Sequence, residues 1–362
     1  MNKRKNGFVA LFSAGVLLLS VVGLIVVKNL IFDPRLYHNK VTVRENEINN
    51  DYNNYLSGGD LCRIDNKLYY NYRKNAHDYG LMEISENGSN LLVWYGPHPD
   101  LKGIGFHIEK ILKHNNSIYR VNQKSSELEK FDFSERKFKG MGAYTDHSTS
   151  NQFSLDESGK MYYLKRNKTP YVKDDLVCND NNTEYVIAKQ LSYFYFLNNK
   201  IYYFRLDGSK GYLCEYDCNK RIEKILFSYD TSNPNTYDDS YFLICNDKIV
   251  ITSRLKIGDK DNALYKYSLC VANLNGDVTP RGVYEIENYS NFSFNLYNNQ
   301  IFVCTNKGME IIDMNSEKIK KITEKPTKSC YILDYKWIYF IDNESCLWRT
   351  THDGLTTEKV FG

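Results

Sequence analysis

Carboxylate side chains are the first groups to examine for chemistry, because the chain carries many of them in polar segments. They include Asp174, Asp175, Asp238, Asp239, Glu285 and Glu287. A glycoside hydrolase needs two carboxylates that face each other across a pocket. The segments around these residues are typical of turns, so we interpret them as solvated loop carboxylates. An enzyme would have to assemble such a pair from distant parts of the chain.

Histidine and glycine motifs give no local support for catalysis. The seven histidines show no His-x-His or i, i+4 spacing, and the sequence lacks Gly-x-Ser-x-Gly, phosphate-binding and dinucleotide-binding loops. The segment from Ser154 to Gly159 is close to a sialidase Asp box but has one residue too many. The sequence therefore predicts no catalytic residue, cofactor or metal ion, and it favours a protein that is not an enzyme.

The nine cysteines are odd in number, irregular in spacing and mostly within apolar runs, such as Leu243-Ile244-Cys245. Free cysteine in such a run behaves as a small hydrophobic residue. We expect reduced core cysteines, with disulfide bonds between some of them as the alternative. Cys214 and Cys218 are the only close pair, and zinc would need a second pair of ligands at metal-binding spacing.

One segment has the composition of a contact loop, namely Trp94-Tyr95-Gly96-Pro97-His98-Pro99-Asp100. Glycine and proline preorganise a loop that carries two aromatic side chains, and such loops contact proteins or sugars at low entropic cost. Trp94, Tyr95 and His98 are therefore the candidate binding residues. The alternative, which we favour, is that Val93-Trp94-Tyr95 ends an outer strand of the first repeat and packs on its neighbour.

The elements that carry these residues belong to a globular chain of 362 residues, of which 25% are charged. The mean hydropathy of −0.53 excludes a protein with many membrane spans. The formal net charge is +3, which Lys3, Arg4 and Lys5 alone account for. The rest of the chain has no excess of positive charge, so we expect no binding to nucleic acid.

The N-terminal segment has the pattern of a membrane anchor. Lys3, Arg4 and Lys5 precede an uncharged apolar run from Phe8 to Val27. At 1.5 Å per residue, a run of about 20 residues crosses a hydrocarbon core of about 30 Å. The basic cluster predicts that the N-terminus stays in the cytoplasm and the bulk of the chain is translocated. A cleaved signal peptide and a buried core helix are the alternatives.

These boundaries predict a cytoplasmic basic tail (1–7), a transmembrane signal anchor (8–28), a spacer (29–60) and an extracytoplasmic domain (61–362). We therefore expect a single-pass membrane protein at the cell surface of a Gram-positive bacterium.

From residue 61 onward a pattern recurs, in which a turn rich in Asn, Asp or Gly precedes an aliphatic residue and then aromatic or apolar residues. The aliphatic markers are Leu68, Ile118, Met161, Ile201, Ile249, Ile301 and Ile338. Seven copies at steps of 37–52 residues fit four-stranded propeller blades. The sequence predicts an all-β, seven-bladed β-propeller. Six or eight blades, a β-sandwich pair and a β-helix are the alternatives.

The last copy carries the fullest motif, with Trp337-Ile338-Tyr339-Phe340-Ile341-Asp342 followed by Leu347-Trp348-Arg349 and His352-Asp353-Gly354. It resembles the Tyr-Trp-Thr-Asp repeat of low-density-lipoprotein-receptor-type propellers. Copies one, two, five and six lack the Asp. The whole chain resembles bacterial membrane-anchored or secreted propellers of unknown function. The resemblance implies a fold and leaves the partner open.

We therefore expect a non-catalytic binding module outside the cytoplasm that recognises an envelope protein or an extracellular polymer such as a glycan. A carbohydrate-active hydrolase on the same scaffold and a structural component of an envelope complex are the alternatives. An axis lined by Tyr, Asn and Ser, without paired carboxylates, would argue against the hydrolase.

Overall fold

The structure, a computed structural model, describes thirteen stretches of the chain. They are residues 50–75, 78–85, 90–95, 110–122, 125–144, 152–166, 173–180, 183–230, 235–236, 241–257, 264–275, 279–286 and 292–362. In this part of the chain, one short helix is followed by seven antiparallel sheets that form the blades of a propeller. The prediction of an all-β, seven-bladed propeller is confirmed.

Helix α1 spans Asp51–Ser57, and the strands follow in blade order. Blade 1 contains β1 (Leu61–Ile64), β2 (Lys67–Asn75), β3 (Asp78–Ile84) and β4 (Asn90–Tyr95). Blade 2 contains β5 (Leu112–His114), β6 (Ser117–Val121), β7 (Glu127–Asp132) and β8 (Lys137–Tyr144). Blade 3 contains β9 (Phe153–Leu155), β10 (Met161–Lys165), β11 (Asp174–Asp180) and β12 (Thr183–Leu191). Blade 4 contains β13 (Phe194–Leu197), β14 (Lys200–Asp207), β15 (Lys210–Asp217) and β16 (Ile222–Asp230).

Blade 5 has an additional strand, β17 (Asn235–Thr236), and then β18 (Phe242–Cys245), β19 (Lys248–Ile257), β20 (Leu264–Asn273) and β21 (Arg281–Ile286). Both β17 and β18 pair with β19, at different stretches of it. Blade 6 contains β22 (Ser293–Tyr297), β23 (Gln300–Thr305), β24 (Gly308–Asp313) and β25 (Ile319–Thr323). Blade 7 contains β26 (Thr327–Ile332), β27 (Trp337–Asp342), β28 (Leu347–Thr351) and β29 (Thr357–Phe361).

Apart from the additional strand β17, each blade is a meander in which consecutive strands pair, and its first strand (β18 in blade 5) lies nearest the axis. We call the end at which the first strands begin the start face. The opposite end, which carries the turns between first and second strands, is the turn face. Because the strands alternate in direction, the turns between third and fourth strands also lie on the turn face.

The repeat markers all lie on the second strands and are almost completely buried. Met161 is 2% exposed and the other six are 0% exposed. A second strand has a blade on each side, so its marker side chain is removed from water by the neighbouring blade. This burial is the physical reason for the aliphatic residue that recurs in the sequence.

Asparagine pairs form the tightest turns on the turn face. Asn198-Asn199 and Asn298-Asn299 join first and second strands through two-residue loops with φ between 49° and 59°. These left-handed values fit the type I′ turn, which suits the twist of a hairpin and favours Asn. Such hairpin turns account for part of the Asn-rich composition.

The ring closes without exchange of strands, because blade 1 is built only from β1–β4 and blade 7 only from β26–β29. Apolar side chains of the two blades, including Leu68, Tyr70, Trp337 and Phe361, form one buried cluster. Similar clusters lie between blades 1 and 2, 3 and 4, and 6 and 7. Packing between blades thus contributes much of the hydrophobic core, together with a larger cluster that runs through blades 2–6 and includes Tyr55 and Leu56 of α1.

Candidate functional site

The axis of the propeller, where ligands of this fold commonly bind, is occupied by helix α1 of the same chain. Asn53 donates a hydrogen bond from Nδ2 to the Ile244 carbonyl in blade 5 at 3.2 Å. Asn54 donates from Nδ2 to the Ile332 carbonyl at 2.8 Å and accepts from the Ile332 amide at 2.8 Å. Asn295 of blade 6 also donates to Asn54 Oδ1 at 2.8 Å. The amide side chains therefore satisfy backbone groups that line the axis.

Tyrosine rings fill the space between α1 and blades 3 and 4. Tyr55 lies edge-on to Phe153 at 5.5 Å between ring centroids, and Tyr52 lies edge-on to Tyr195 at 5.1 Å. The Tyr195 hydroxyl donates to Asn53 Oδ1 at 2.7 Å. Burial raises the pKa of Tyr55 and Tyr195 well above the ordinary value, which keeps their hydroxyls neutral.

The C-terminal end of α1 meets a buried acid and a partly buried amine. Tyr331 donates from its hydroxyl to Asp60 Oδ2 at 3.1 Å, and Lys110 donates from Nζ to the Leu56 carbonyl at 3.3 Å. Burial raises the pKa of Asp60, an effect opposed by Lys328, Tyr331, Lys110 and Asn71 in that order. Burial lowers the pKa of Lys110.

Glycine is required where the chain leaves α1. A Cβ atom at Gly58 would collide with the Tyr331 hydroxyl, and Gly59 has a φ of 71° with Lys110 packed against it. The chain therefore turns sharply at this point before it enters β1.

A buried ion pair joins the two ends of the ring. Arg63 Nη2 on β1 lies 3.0 Å from Asp334 Oδ2, and the two side chains are 1% and 0% exposed. The same Nη2 donates to the Tyr339 hydroxyl at 3.1 Å. Asp334 Oδ1 accepts from the backbone amides of Lys336 and Trp337 at 3.0 and 2.7 Å. Both charges are thus held by several partners, as buried charges require.

Of the predicted contact residues, the structure describes only the backbone of Trp94 and Tyr95. Trp94 and Tyr95 are the last two residues of β4, the outer strand of blade 1, as the alternative interpretation of this segment expected. Their side chains, and His98 altogether, lie outside the described residues. Binding by Trp94, Tyr95 and His98 therefore remains a prediction.

The predicted anchor residues, Lys3, Arg4, Lys5, Phe8 and Val27, also lie outside the described residues. Within the part of the chain that the structure describes, no helix has the length and apolar character needed to cross a membrane.

The acidic residues considered for catalysis do not converge where the structure describes them. Asp175 accepts a hydrogen bond from the Gln190 amide, and Glu285 pairs with Lys266 on the neighbouring strand. Asp238, Asp239 and Glu287 lie outside the described residues. Helix α1 begins at Asp51, which pairs with Lys113 at 3.4 Å, and Asp60 follows the other end of the helix.

Among the described residues, one group of three ligand atoms is close enough together to hold a metal ion, that of Asp342, Glu344 and Cys346. Asp342 Oδ1 accepts from the backbone amides of Glu344 and Cys346, each at 2.9 Å, and Oδ2 accepts from Trp348 Nε1 at 2.7 Å. This carboxylate therefore stabilises a turn and orients Trp348. It is the Asp that ends the aromatic strand of the motif described above.

The nine cysteines are all described, as thiols, and seven of them are buried. This burial agrees with the prediction of core cysteines. Burial raises the pKa of Cys214 to about 11 and that of Cys218 to about 12. Neither thiol is therefore a ready nucleophile at neutral pH, and neither belongs to the group of potential ligands above.

Helix α1 is the element that the sequence reasoning missed, because residues 51–57 fell within the predicted spacer. Tyr52, Tyr55 and Leu56 follow the i, i+3, i+4 spacing of one helix face, and Asp51 lies in the first turn. The signal is only one turn and a half long, so it could not be separated from the surrounding polar residues.

Comparison with known proteins supports the fold alone. No family model and no curated protein matches the chain. The extracellular domain of a one-component system from B. thetaiotaomicron matches with a TM-score of 0.50 and 12% identity. That match covers 88% of this chain and 42% of the other chain. This chain thus spans less than half the length of that protein.

Two further solved structures are similar at lower scores. BamB from Moraxella catarrhalis matches with a TM-score of 0.46 and 10% identity, over 79% of this chain and 80% of that one. The N-terminal domain of Nup159 matches with a TM-score of 0.48 and 10% identity, over 87% of this chain and 97% of that one. Identities this low say nothing about activity.

Proposed function

We propose that this protein is a membrane-anchored propeller outside the cytoplasm that acts as a non-catalytic binding module for an envelope protein or an extracellular polymer. The observation that carries the proposal is the occupation of the axis by α1. Asn53, Asn54 and Ser57 donate hydrogen bonds to backbone carbonyls of blades 5, 7 and 6, namely those of Ile244, Ile332 and Phe294. A substrate would have to displace these bonds before it reached the axis.

The chemistry of the axis also supports binding over hydrolysis. Its described polar side chains are mainly amides and hydroxyls, such as Asn50, Asn53, Tyr195 and Asn295. Asp51 begins helix α1 and Asp60 follows its C-terminal end, and the seven residues of the helix extend over about 10 Å. A glycosidase holds its two carboxyl groups about 5–9.5 Å apart across an open pocket. A helix fills the space between these two.

The anchor and the location outside the cytoplasm rest on the sequence. The apolar run from Phe8 to Val27 and the basic residues Lys3, Arg4 and Lys5 support them. The resemblance to membrane-anchored propellers and to low-density-lipoprotein-receptor-type repeats points the same way and stays part of the proposal.

The test uses full-length protein in detergent with two preparations, isolated cell wall and extracted envelope proteins. We expect stoichiometric retention of one component and no release of reducing sugar from the wall. The Trp94→Ala/Tyr95→Ala variant should lose retention if the predicted contact residues take part. Tyr335→Ala removes a tyrosine that is 63% exposed elsewhere on the surface and is the matched control.

Release of sugar from the cell wall, without retention of any component, would overturn the proposal in favour of the hydrolase. Retention that both variants leave unchanged would preserve the binding function and exclude Trp94 and Tyr95 from the contact surface.

A further inference from the structure

The direction of α1 along the axis can be read from its contacts. Near its N-terminal end, Asn53 contacts the carbonyls of Ile244 and Leu296, which lie late in β18 and β22. At its C-terminal end, Ser57 donates to the Phe294 carbonyl at 2.6 Å, early in β22. The helix therefore runs from the turn face toward the start face, opposite to the first strands.

The residues after α1 confirm this direction. The Gly59 carbonyl accepts a hydrogen bond from the Ile111 amide at 2.7 Å, just before β5 begins. Strand β1 then runs from Leu61 to Ile64 and pairs with β2 across the turn at Asp65 and Asn66. After α1 the chain thus reaches the start face, and it then returns along β1 to the turn face.

Because Asn50 precedes this helix, the chain enters the axis from the turn face. We infer that α1 is an axial tether, which fixes the turn face toward the membrane and directs the start face away from it. This inference rests on the proposed membrane anchor. It deepens the proposed function, because it specifies which face of the propeller is available to a partner beyond the membrane.

The two ends of one strand provide a matched pair of probes. Ser209 follows β14 on the start face and Asn219 follows β15 on the turn face, and both are exposed. The eight residues of β15 separate them by about 25 Å. Each position is changed to Cys in full-length protein that also carries Cys218→Ser and Cys245→Ser, because these two native thiols are partly exposed.

In the first measurement, the protein carries a fluorescent donor at one of these two positions and is reconstituted into vesicles whose lipids carry an acceptor. The energy transfer from donor to acceptor is measured. We expect stronger energy transfer from Asn219→Cys than from Ser209→Cys. Equal transfer, or stronger transfer from Ser209→Cys, in protein that floats with the vesicles would overturn the inference. Protein that does not float with the vesicles would overturn the anchor instead, and the second measurement then decides the path of the chain.

The second measurement requires no membrane. A spin label at Asn46→Cys in detergent-solubilised full-length protein is paired in turn with labels at the two positions. We expect the shorter distance to Asn219→Cys. A shorter distance to Ser209→Cys would show that the chain enters the axis from the start face, and would overturn the axial tether whatever the state of the anchor.

Discussion

At the scale of single residues, a buried ion pair between Arg63 and Asp334 joins blades 1 and 7 where the ring closes. Arg63 and Asp334 come from opposite ends of the propeller sequence and are 1% and 0% exposed. Their attraction offsets the cost of removing both charges from water, which neither residue could bear alone. If blades 1 and 7 packed in another register, the two charges would be buried apart from each other, and the free energy of the folded state would rise.

We predict that Arg63→Met lowers the free energy of unfolding by about 3–5 kcal/mol, because Asp334 is left buried without its cation. Denaturant unfolding followed by circular dichroism measures the change. The exposed pair of Arg281 and Glu317 is the control, since its side chains are 56% and 44% exposed. Glu317→Gln should cost less than about 1 kcal/mol.

The double variant Arg63→Met/Asp334→Asn separates the ion pair from simple packing. It should recover part of the lost stability, because no uncompensated charge remains. Strictly additive losses of the two single variants would contradict this account of the pair.

A second residue-scale prediction concerns Asp60, whose pKa burial raises. The native state therefore binds the proton more tightly than the unfolded state does. This contribution to stability is present at acidic pH and is lost as the pH rises from about 4 through the raised pKa. Lys110, Lys328, Tyr331 and Asn71 face the carboxyl and oppose the shift.

Asp60→Asn removes this titration. Relative to the parent protein, we expect the variant to gain stability as the pH rises from about 4 through the raised pKa of Asp60, and to keep that gain at higher pH, whatever the absolute offset. Denaturant midpoints across this range give the difference. A difference that does not change with pH would show that the carboxyl titrates alike in both states.

At the scale of elements, helix α1 is stabilised by its surroundings, because seven residues form no stable helix in isolation. Asn54 makes three hydrogen bonds of 2.8 Å to blades 6 and 7. Replacing it with Leu leaves the amide and carbonyl of Ile332 buried without partners. We predict a loss of about 2–4 kcal/mol in the free energy of unfolding.

Asp51→Asn is the matched control in the same helix. Its ion pair with Lys113 lies at the N-terminal end of α1, and the side chains of Asp51 and Lys113 are 21% and 10% exposed. We expect a smaller loss than for Asn54→Leu, because both side chains of this pair reach solvent. Equal losses for the two variants, by thermal or denaturant unfolding, would show that α1 is not held by Asn54.

The blades were predictable from sequence and α1 was not, for a physical reason. The second strand of each blade packs against a neighbouring blade. An aliphatic residue, such as Ile201, Ile249 or Ile301, therefore recurs at the same buried position of that strand. Helix α1 occurs once, and its stability comes from carbonyls in blades 5, 6 and 7 that are more than 190 residues away in sequence. No local pattern encodes such contacts.

A second repeat lies in the turns between third and fourth strands, and the sequence analysis did not predict it. Asp132, Asp217 and Asp313 each end a third strand and accept hydrogen bonds from backbone amides two and three residues later. Lys139 is the largest cause that lowers the pKa of Asp132, and these backbone bonds also lower it; at Asp217 and Asp313 a backbone bond is the largest cause of the lowered pKa. The spacing is that of an Asx turn, so its role is structural.

At the scale of the whole molecule, the tyrosine-rich core couples stability to alkaline pH. The chain contains 31 tyrosines, and many second and first strands bury them, as at Tyr70, Tyr195, Tyr203 and Tyr331. Burial is the largest cause that raises the pKa of each of these hydroxyls. Nearby carboxylates add to it at Tyr70, Tyr203 and Tyr331, because a phenolate beside them would be repelled.

A tyrosine whose pKa is raised on folding contributes stability that is fully present below its ordinary pKa of about 10 and is lost as the pH rises above it. We therefore predict cooperative unfolding above pH 10, in which the phenolate absorbance and the loss of the β-sheet circular dichroism signal coincide. Tyr195→Phe keeps the ring and removes one such hydroxyl, so it should shift the midpoint to higher pH. Phenolate formation by most tyrosines near pH 10, with the sheet signal intact, would show that the rings reach solvent without unfolding and that the blades are packed more loosely than the structure indicates.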